Sequence, residues 1–138
     1  MFLDASVIVA LLAEEPGWEE LQVRLHREVG PKYVSALARF EASQAIARLR
    51  SKGQRPTTDR VLSAGKAVDE LLDQLDVQNV DLTLAIGELA LQASASFGKV
   101  IKHPADLNMG DCFAYACAKS LGVPLLYKGN DFAQTDLA

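Results

Sequence analysis

Short apolar segments alternate along this chain with longer stretches of helical periodicity, and turn-forming residues separate them at most junctions. No other feature constrains the fold as much. Strands that take turns with helices are joined by crossovers, so they lie parallel in one sheet covered on both faces. Residues 1–4 read as a short buried strand ending at Asp4. The run Ala5 to Ala13 is apolar apart from Ser6 and is stopped by Pro16-Gly17, which fits a buried helix. A second helix is expected over Gly17 to Glu28, with Trp18, Leu21 and Leu25 at helical spacing.

Tyr33-Val34 is a strand candidate, and Ser35 is placed to cap a helix from Ala36 to about Lys52. Its apolar stripe is Ala38, Ala42, Ala45, Ile46 and Leu49. After the Gly53–Pro56 loop, Thr57 or Thr58 caps a further helix whose inward positions read as Val61, Leu62, Gly65, Val68, Leu71 and Leu72. Asp76 to Val80 is the next strand. Asp81 is the expected cap of a helix over Leu82 to Phe97, with Gly98 as its stop. Asn108 opens a helix over Met109 to Leu121, Gly122 ends it, and Val123 to Tyr127 forms the last strand. In such sheets ligands bind beyond the carboxyl ends of the strands, which is where Asp4 and Asp131 fall.

The length of 138 residues suits one domain, and 49% apolar content is enough for a core. Asp4 interrupts any signal-peptide apolar region, and Val7 to Ala13 is too short to cross a bilayer, so a cytoplasmic protein with no membrane contact is expected. Cys112 and Cys117 are five residues apart on one helix, so they point to different faces and read as small hydrophobes in a reduced compartment. The net charge of −4 argues against indiscriminate coating of nucleic acid. Charge is uneven, however: from Lys32 to Lys66 there are eight basic residues and two acidic ones, and from Asp69 onward four basic and ten acidic. The basic island reads equally well as a solvated helix face or as a track for phosphates.

Four acids stand out: Asp4, Glu41, Asp111 and Asp131. Taken singly, each has a plain explanation. Asp4 is an N-cap, Asp111 completes a capping box with Asn108, and Asp131 lies in a Gly-Asn-Asp turn. Glu41 is less easily dismissed. With Ala38 and Ala45 as helical neighbours it borders the buried stripe, where a charge needs a partner: Arg39, Arg48 or a metal ion. As a set, the four would repel one another if gathered, and a divalent cation is what makes such a cluster tolerable. Asp106 and Asp136 are peripheral acids. His26 reads as a helix-surface residue and His103 as a loop residue.

Phe2-Leu3-Asp4-Ala5-Ser6, Glu41 in the helix after Ser35, the stretch His103-Pro104-Ala105-Asp106-Leu107-Asn108-Met109-Gly110-Asp111-Cys112-Phe113-Ala114-Tyr115-Ala116, and Lys128-Gly129-Asn130-Asp131-Phe132 with Thr135-Asp136 together resemble a PIN domain. The match is to the VapC-type toxins of toxin–antitoxin pairs. Leu-Asn-x-Gly-Asp-Cys and Gly-Asn-Asp-Phe are its specific parts. The resemblance implies an α/β, PIN-like three-layer fold, a central parallel sheet flanked by helices, spanning residues 1–138 as one domain. It implies an Mg²⁺-dependent endoribonuclease, with Mn²⁺ as a substitute. Asp4, Glu41, Asp111 and Asp131 match the family's catalytic acids. Asp4 and Asp111 are the pair most directly tied to the metal, while Ser6, Glu41 and Asp131 support metal or water.

Metal-activated water would then hydrolyse RNA phosphodiesters. Arg39, Arg48, Arg50, Lys52 and Arg55 are the candidates for RNA contact. The resemblance also implies a VapB-type antitoxin whose C-terminal segment occupies the groove, and a homodimer. Trp18, Leu21 and Leu25 could line that groove or simply pack in the core. Two alternatives stay open from the residues. A haloacid-dehalogenase-like phosphohydrolase needs an Asp-x-Asp, whereas Ser6 stands at the second position here. A non-catalytic binding module would use the acids only as caps.

Overall fold

The structure, a computed structural model, describes residues 1–137. Four parallel strands, β1 (Phe2–Leu3), β2 (Lys32–Ser35), β3 (Val77–Val80) and β4 (Leu125–Leu126), form one sheet in the order β3-β2-β1-β4. Phe2 is in register with Tyr33 on one side and Leu125 on the other, and Lys32 to Ser35 pair with Val77 to Val80. Six helices cover the sheet: α1 (Ala5–Ala13), α2 (Trp18–Arg27), α3 (Ala36–Arg50), α4 (Thr58–Gln74), α5 (Leu84–Phe97) and α6 (Met109–Leu121).

Successive strand residues face opposite sides of a sheet, and β1 shows the consequence. Phe2 packs with Ile86, Ala90 and Cys117 of α5 and α6, whereas Leu3 packs with Val7, Leu21 and Leu25 of α1 and α2. Both are fully buried. A third cluster joins Ile8, Val34, Ala38, Ala42, Val68 and Leu72, seating α1, α3 and α4 against β2. Leu21 and Leu25 therefore belong to the core, and Trp18 is half-buried beside them.

The chain moves from β1 outward to β2 and β3 and then crosses to the far side of β1 to form β4. The order reverses between β1 and β4, so a crevice opens beyond the carboxyl ends of those two strands. Asp4 directly follows β1, and the Lys128–Asp131 loop follows β4.

Most helix ends are set by their predicted caps. Ser35 accepts from the Ala38 N–H at 3.1 Å, Thr57 accepts from the Arg60 N–H, and Gly122 ends α6 in a left-handed conformation with φ 63°. Three expectations change. Thr83, not Asp81, caps α5, so that helix starts at Leu84; both residue types cap well, and tertiary packing decides between them. Leu49 is exposed because Ala45, one turn before it, lines a cleft instead of the core; Ala47 is buried instead. Leu62 is also exposed, as the buried row of α4 runs Ala64, Val68 and Leu72. Gly98 does end α5, though not through a left-handed turn: its backbone is extended, and a Cβ there would collide with the Ser94 carbonyl. Among the described residues no helix is long and apolar enough to cross a membrane.

The Ser35 hydroxyl is buried and orients the helix that carries Glu41. Ser35→Ala is expected to lower the unfolding free energy by about 1–2 kcal/mol. The check is a lower urea midpoint at unchanged slope.

Candidate active site

Asp4, Glu41, Asp111 and Asp131 line one cleft of about 660 Å³ at the β1–β4 crevice, together with Ser6 and Asn108. Asp4 caps α1: its Oδ2 accepts the Ser6 N–H at 2.9 Å and the Ser6 hydroxyl at 2.5 Å. The Ser6 oxygen in turn accepts the Lys128 N–H at 3.0 Å. One hydroxyl thus ties the first helix to the loop that carries Asp131. Asp111 stands in a capping box at the start of α6. Its Oδ2 accepts the Asn108 N–H at 2.8 Å, and the Asn108 side chain accepts the Asp111 N–H at 3.2 Å. The other oxygen of Asp4 and of Asp111 makes no well-formed hydrogen bond among the described residues.

Glu41 reaches the cleft from α3, where Ala38 and Ala42 let the helix lie close. Gly110 makes room for it, since a Cβ at that position would fall inside the Glu41 carboxylate. Asp131 is exposed at the mouth. The buried ring of Phe132, 5.0 Å from that of Tyr127, anchors its loop.

The acids act on one another's charge. Burial pushes Asp4 up, against the pull of its Ser6 hydrogen bonds, and Asp131 adds repulsion. Burial pushes Glu41 up to about 6, with Asp4 and Asp111 adding to it. Asp111 is also pushed up to about 6, chiefly by burial; the Asn108 N–H pulls the other way, and Asp4, Asp131 and Asp106 contribute repulsion. Such mutual shifts mark a cluster held together against its own charge.

The donor set is all oxygen, which suits a hard cation. Among the described residues no three His, Cys, Asp or Glu side chains are drawn together tightly enough to form a ready-made cage.

Of the basic candidates, Arg48 lines the cleft. Arg39 does not; it pairs with Asp69 and donates to Asn79 at 3.3 Å. Arg50, Lys52 and Arg55 are exposed outside the cleft lining. Asp136 is held by Tyr115 and Lys119, and Asp106 is exposed 3.9 Å from Lys99. His26 is bonded to the Gln22 carbonyl and His103 to the Ala105 N–H, both within their own segments. Cys112 and Cys117 are buried thiols, both pushed up by burial, Cys117 to about 11.

Sequence reasoning missed several lining residues. Lys128 is paired with Glu15 at 2.6 Å, a contact across 113 positions with no local signal. Phe40 and Gln44 also line the cleft. Their four-residue spacing with Arg48 was visible in the sequence, but which face of α3 met the cleft was not.

The model of the PIN domain family matches residues 1–137. The chain belongs to the PIN domain family. Its relatives include a VapC ribonuclease of Rhizobium meliloti, 51% identical over an alignment that covers 99% of this chain and 98% of the relative. Ribonuclease VapC42 of Mycobacterium tuberculosis is 33% identical, covering 99% and 96%. The crystal structure of Mycobacterium tuberculosis VapC20, described as a sarcin-ricin loop cleaving toxin, superposes with a TM-score of 0.69 at 15% identity. It covers 96% of this chain and 92% of that one, and shares the fold. The chain is thus a PIN-domain protein of the VapC type rather than a haloacid-dehalogenase-like phosphohydrolase. PIN-domain ribonucleases depend in general on a divalent metal.

The raised acids carry a pH signature in metal-free protein. Burial pushes Glu41 and Asp111 up to about 6 in the folded chain, against ordinary carboxyl values of 4.5 and 3.8. The folded state then binds more protons than the unfolded one in that window. Their contribution to stability is fully present below about pH 4 and is lost as pH rises through about 6. With chelator present, Glu41→Gln is expected to raise the thermal midpoint at pH 7 and to flatten its fall between about pH 4 and 6. Calorimetry across that range provides the check; a variant that tracks the wild type would contradict the shift.

Proposed function

We propose that this chain is a Mg²⁺-dependent endoribonuclease, the toxin of a VapBC-type toxin–antitoxin pair. The observation that carries this reading is the convergence of four carboxylates from four separate segments on one cleft at the sheet's switch point. The VapC ribonucleases among its full-length relatives support it.

A bound Mg²⁺, or Mn²⁺ in its place, would offset charge on the phosphate and on the leaving oxygen and help a water give up its proton, so that it can attack phosphorus as that oxygen departs. Asp4 and Asp111 would hold the cation with the oxygens that Ser6 and Asn108 leave unused. Ser6 fixes the Asp4 carboxyl, and Asn108 fixes that of Asp111. Glu41 and Asp131 would orient the attacking water and take its proton. No histidine is required.

The acidic cleft would also accept a basic side chain from a VapB-type antitoxin, which would displace the cation and block RNA together. A homodimer is the remaining part of the reading. Leu91, Val100 and Met109 are exposed and line a second, largely apolar cleft of about 580 Å³, and Leu84 and Ile101 are exposed on the same segments. A second copy would cover that face.

Two experiments test the reading. Asp111→Asn keeps an oxygen for the capping box and is expected to fold normally. It should lose at least about 100-fold in Mg²⁺-dependent RNA cleavage, the equivalent of several kcal/mol in the barrier. Unchanged cleavage would refute the assignment. Leu91→Glu with Val100→Glu is expected to turn a dimer into a monomer in light scattering, and a wild-type monomer would dispose of the dimer.

A further inference from the structure

Phe40 is 61% exposed, yet it lines the acidic cleft beside Glu41. The core face of α3 is built from Ala38, Ala42, Ile46 and Ala47, so packing has no use for the ring. Gln44 and Arg48 follow it at four-residue intervals and line the same cleft. The three therefore share one face of α3 and extend ~12 Å along it. Ala45 and Val9 beside them are small or half-buried and leave the stripe accessible.

The charges of the cleft single out Arg48. Asp4, Glu15, Glu41, Asp111 and Asp131 face only two cations, Lys128 and Arg48. Lys128 is neutralised by Glu15. Arg48 makes no ion pair among the described residues and is exposed. An unpaired guanidinium next to a row made of an aromatic ring and an amide is the set that meets a phosphate, a base face and a base edge. An acidic protein segment would pair with Arg48 but leave Phe40 and Gln44 unused, and a basic one would gain nothing from Arg48. Single-stranded RNA, whose backbone the cation can hold while its bases stack and bond, fits all three.

We propose that Phe40, Gln44 and Arg48 form a strand-gripping track beside the scissile position. Phe40 stacks on a base, Gln44 bonds to a base edge, and Arg48 holds a backbone phosphate. This rests on the nuclease reading above and assigns it residues that set where along a strand the cut falls.

The test uses a randomised pool of single-stranded oligoribonucleotides with Mg²⁺, with kcat, KM and the sequences at the cut ends as readouts. Phe40→Leu, apolar but without a π-face, is expected to raise KM by about ten-fold with kcat little changed, and Phe40→Trp to restore it. Gln44→Ala should broaden the base preference at one position next to the cut. Arg48→Ala should reduce the slope of log affinity against log salt by about one. Unaltered thermal midpoints would show that these surface substitutions leave the fold intact. If Phe40→Leu and Phe40→Trp behave alike, or if only affinity for a purified antitoxin changes while RNA kinetics do not, the track belongs to a protein interface and the inference is overturned. If the wild-type chain cleaves no RNA, the nuclease reading itself falls and takes this inference with it. If the wild type cleaves and all three variants match it, the inference alone falls.

Discussion

Repulsion among four carboxylates governs this molecule. Left alone, Asp4, Glu41, Asp111 and Asp131 would move apart into water. The fold prevents this by making each acid part of something else. Asp4 caps α1, Asp111 closes the capping box of α6, Glu41 rides on a helix pinned by small side chains, and Asp131 sits in a loop held by a buried ring. Local bonds worth about a kcal/mol apiece hold a charge pattern that is unfavourable as a whole. Burial first, and repulsion after it, push the carboxyls of Glu41 and Asp111 up to about 6. A divalent cation would relieve that repulsion, and the proposed chemistry would draw on the arrangement that burdens the bare chain.

Much of the fold could be read from the residues. The strand–helix alternation gave the parallel sheet, and Ser35, Thr57, Asn108 and Gly122 marked helix ends because capping chemistry is local. Failures came where tertiary contact decided. Asp81 and Thr83 are equally good caps, and only packing selects Thr83. Leu49 continues the stripe of α3 in periodicity, but the cleft takes that side of the helix. The space that Gly110 leaves for Glu41 has no sequence signal, because the two are joined only through the packing of α3 on α6.

The site was legible for a different reason. Asp4, Asp111 and Asp131 each read as an ordinary cap or turn residue, which is structurally accurate for Asp4 and Asp111, and Glu41 read as a charge bordering a buried stripe. Only the set, in order and with its flanking residues, pointed to shared chemistry. The basic island was the weaker guide. Charge counts cannot tell Arg39, tied to Asp69, from Arg48, which stands in the cleft, because helical phase relative to the sheet separates them.

The bond from the Lys128 N–H to the Ser6 hydroxyl spans 122 positions and joins the two ends of the chain at the cleft. The same hydroxyl also donates to Asp4, so one small side chain sets the spacing between the first helix and the loop that holds Asp131. Loss of that single oxygen would loosen two walls of the cleft at once.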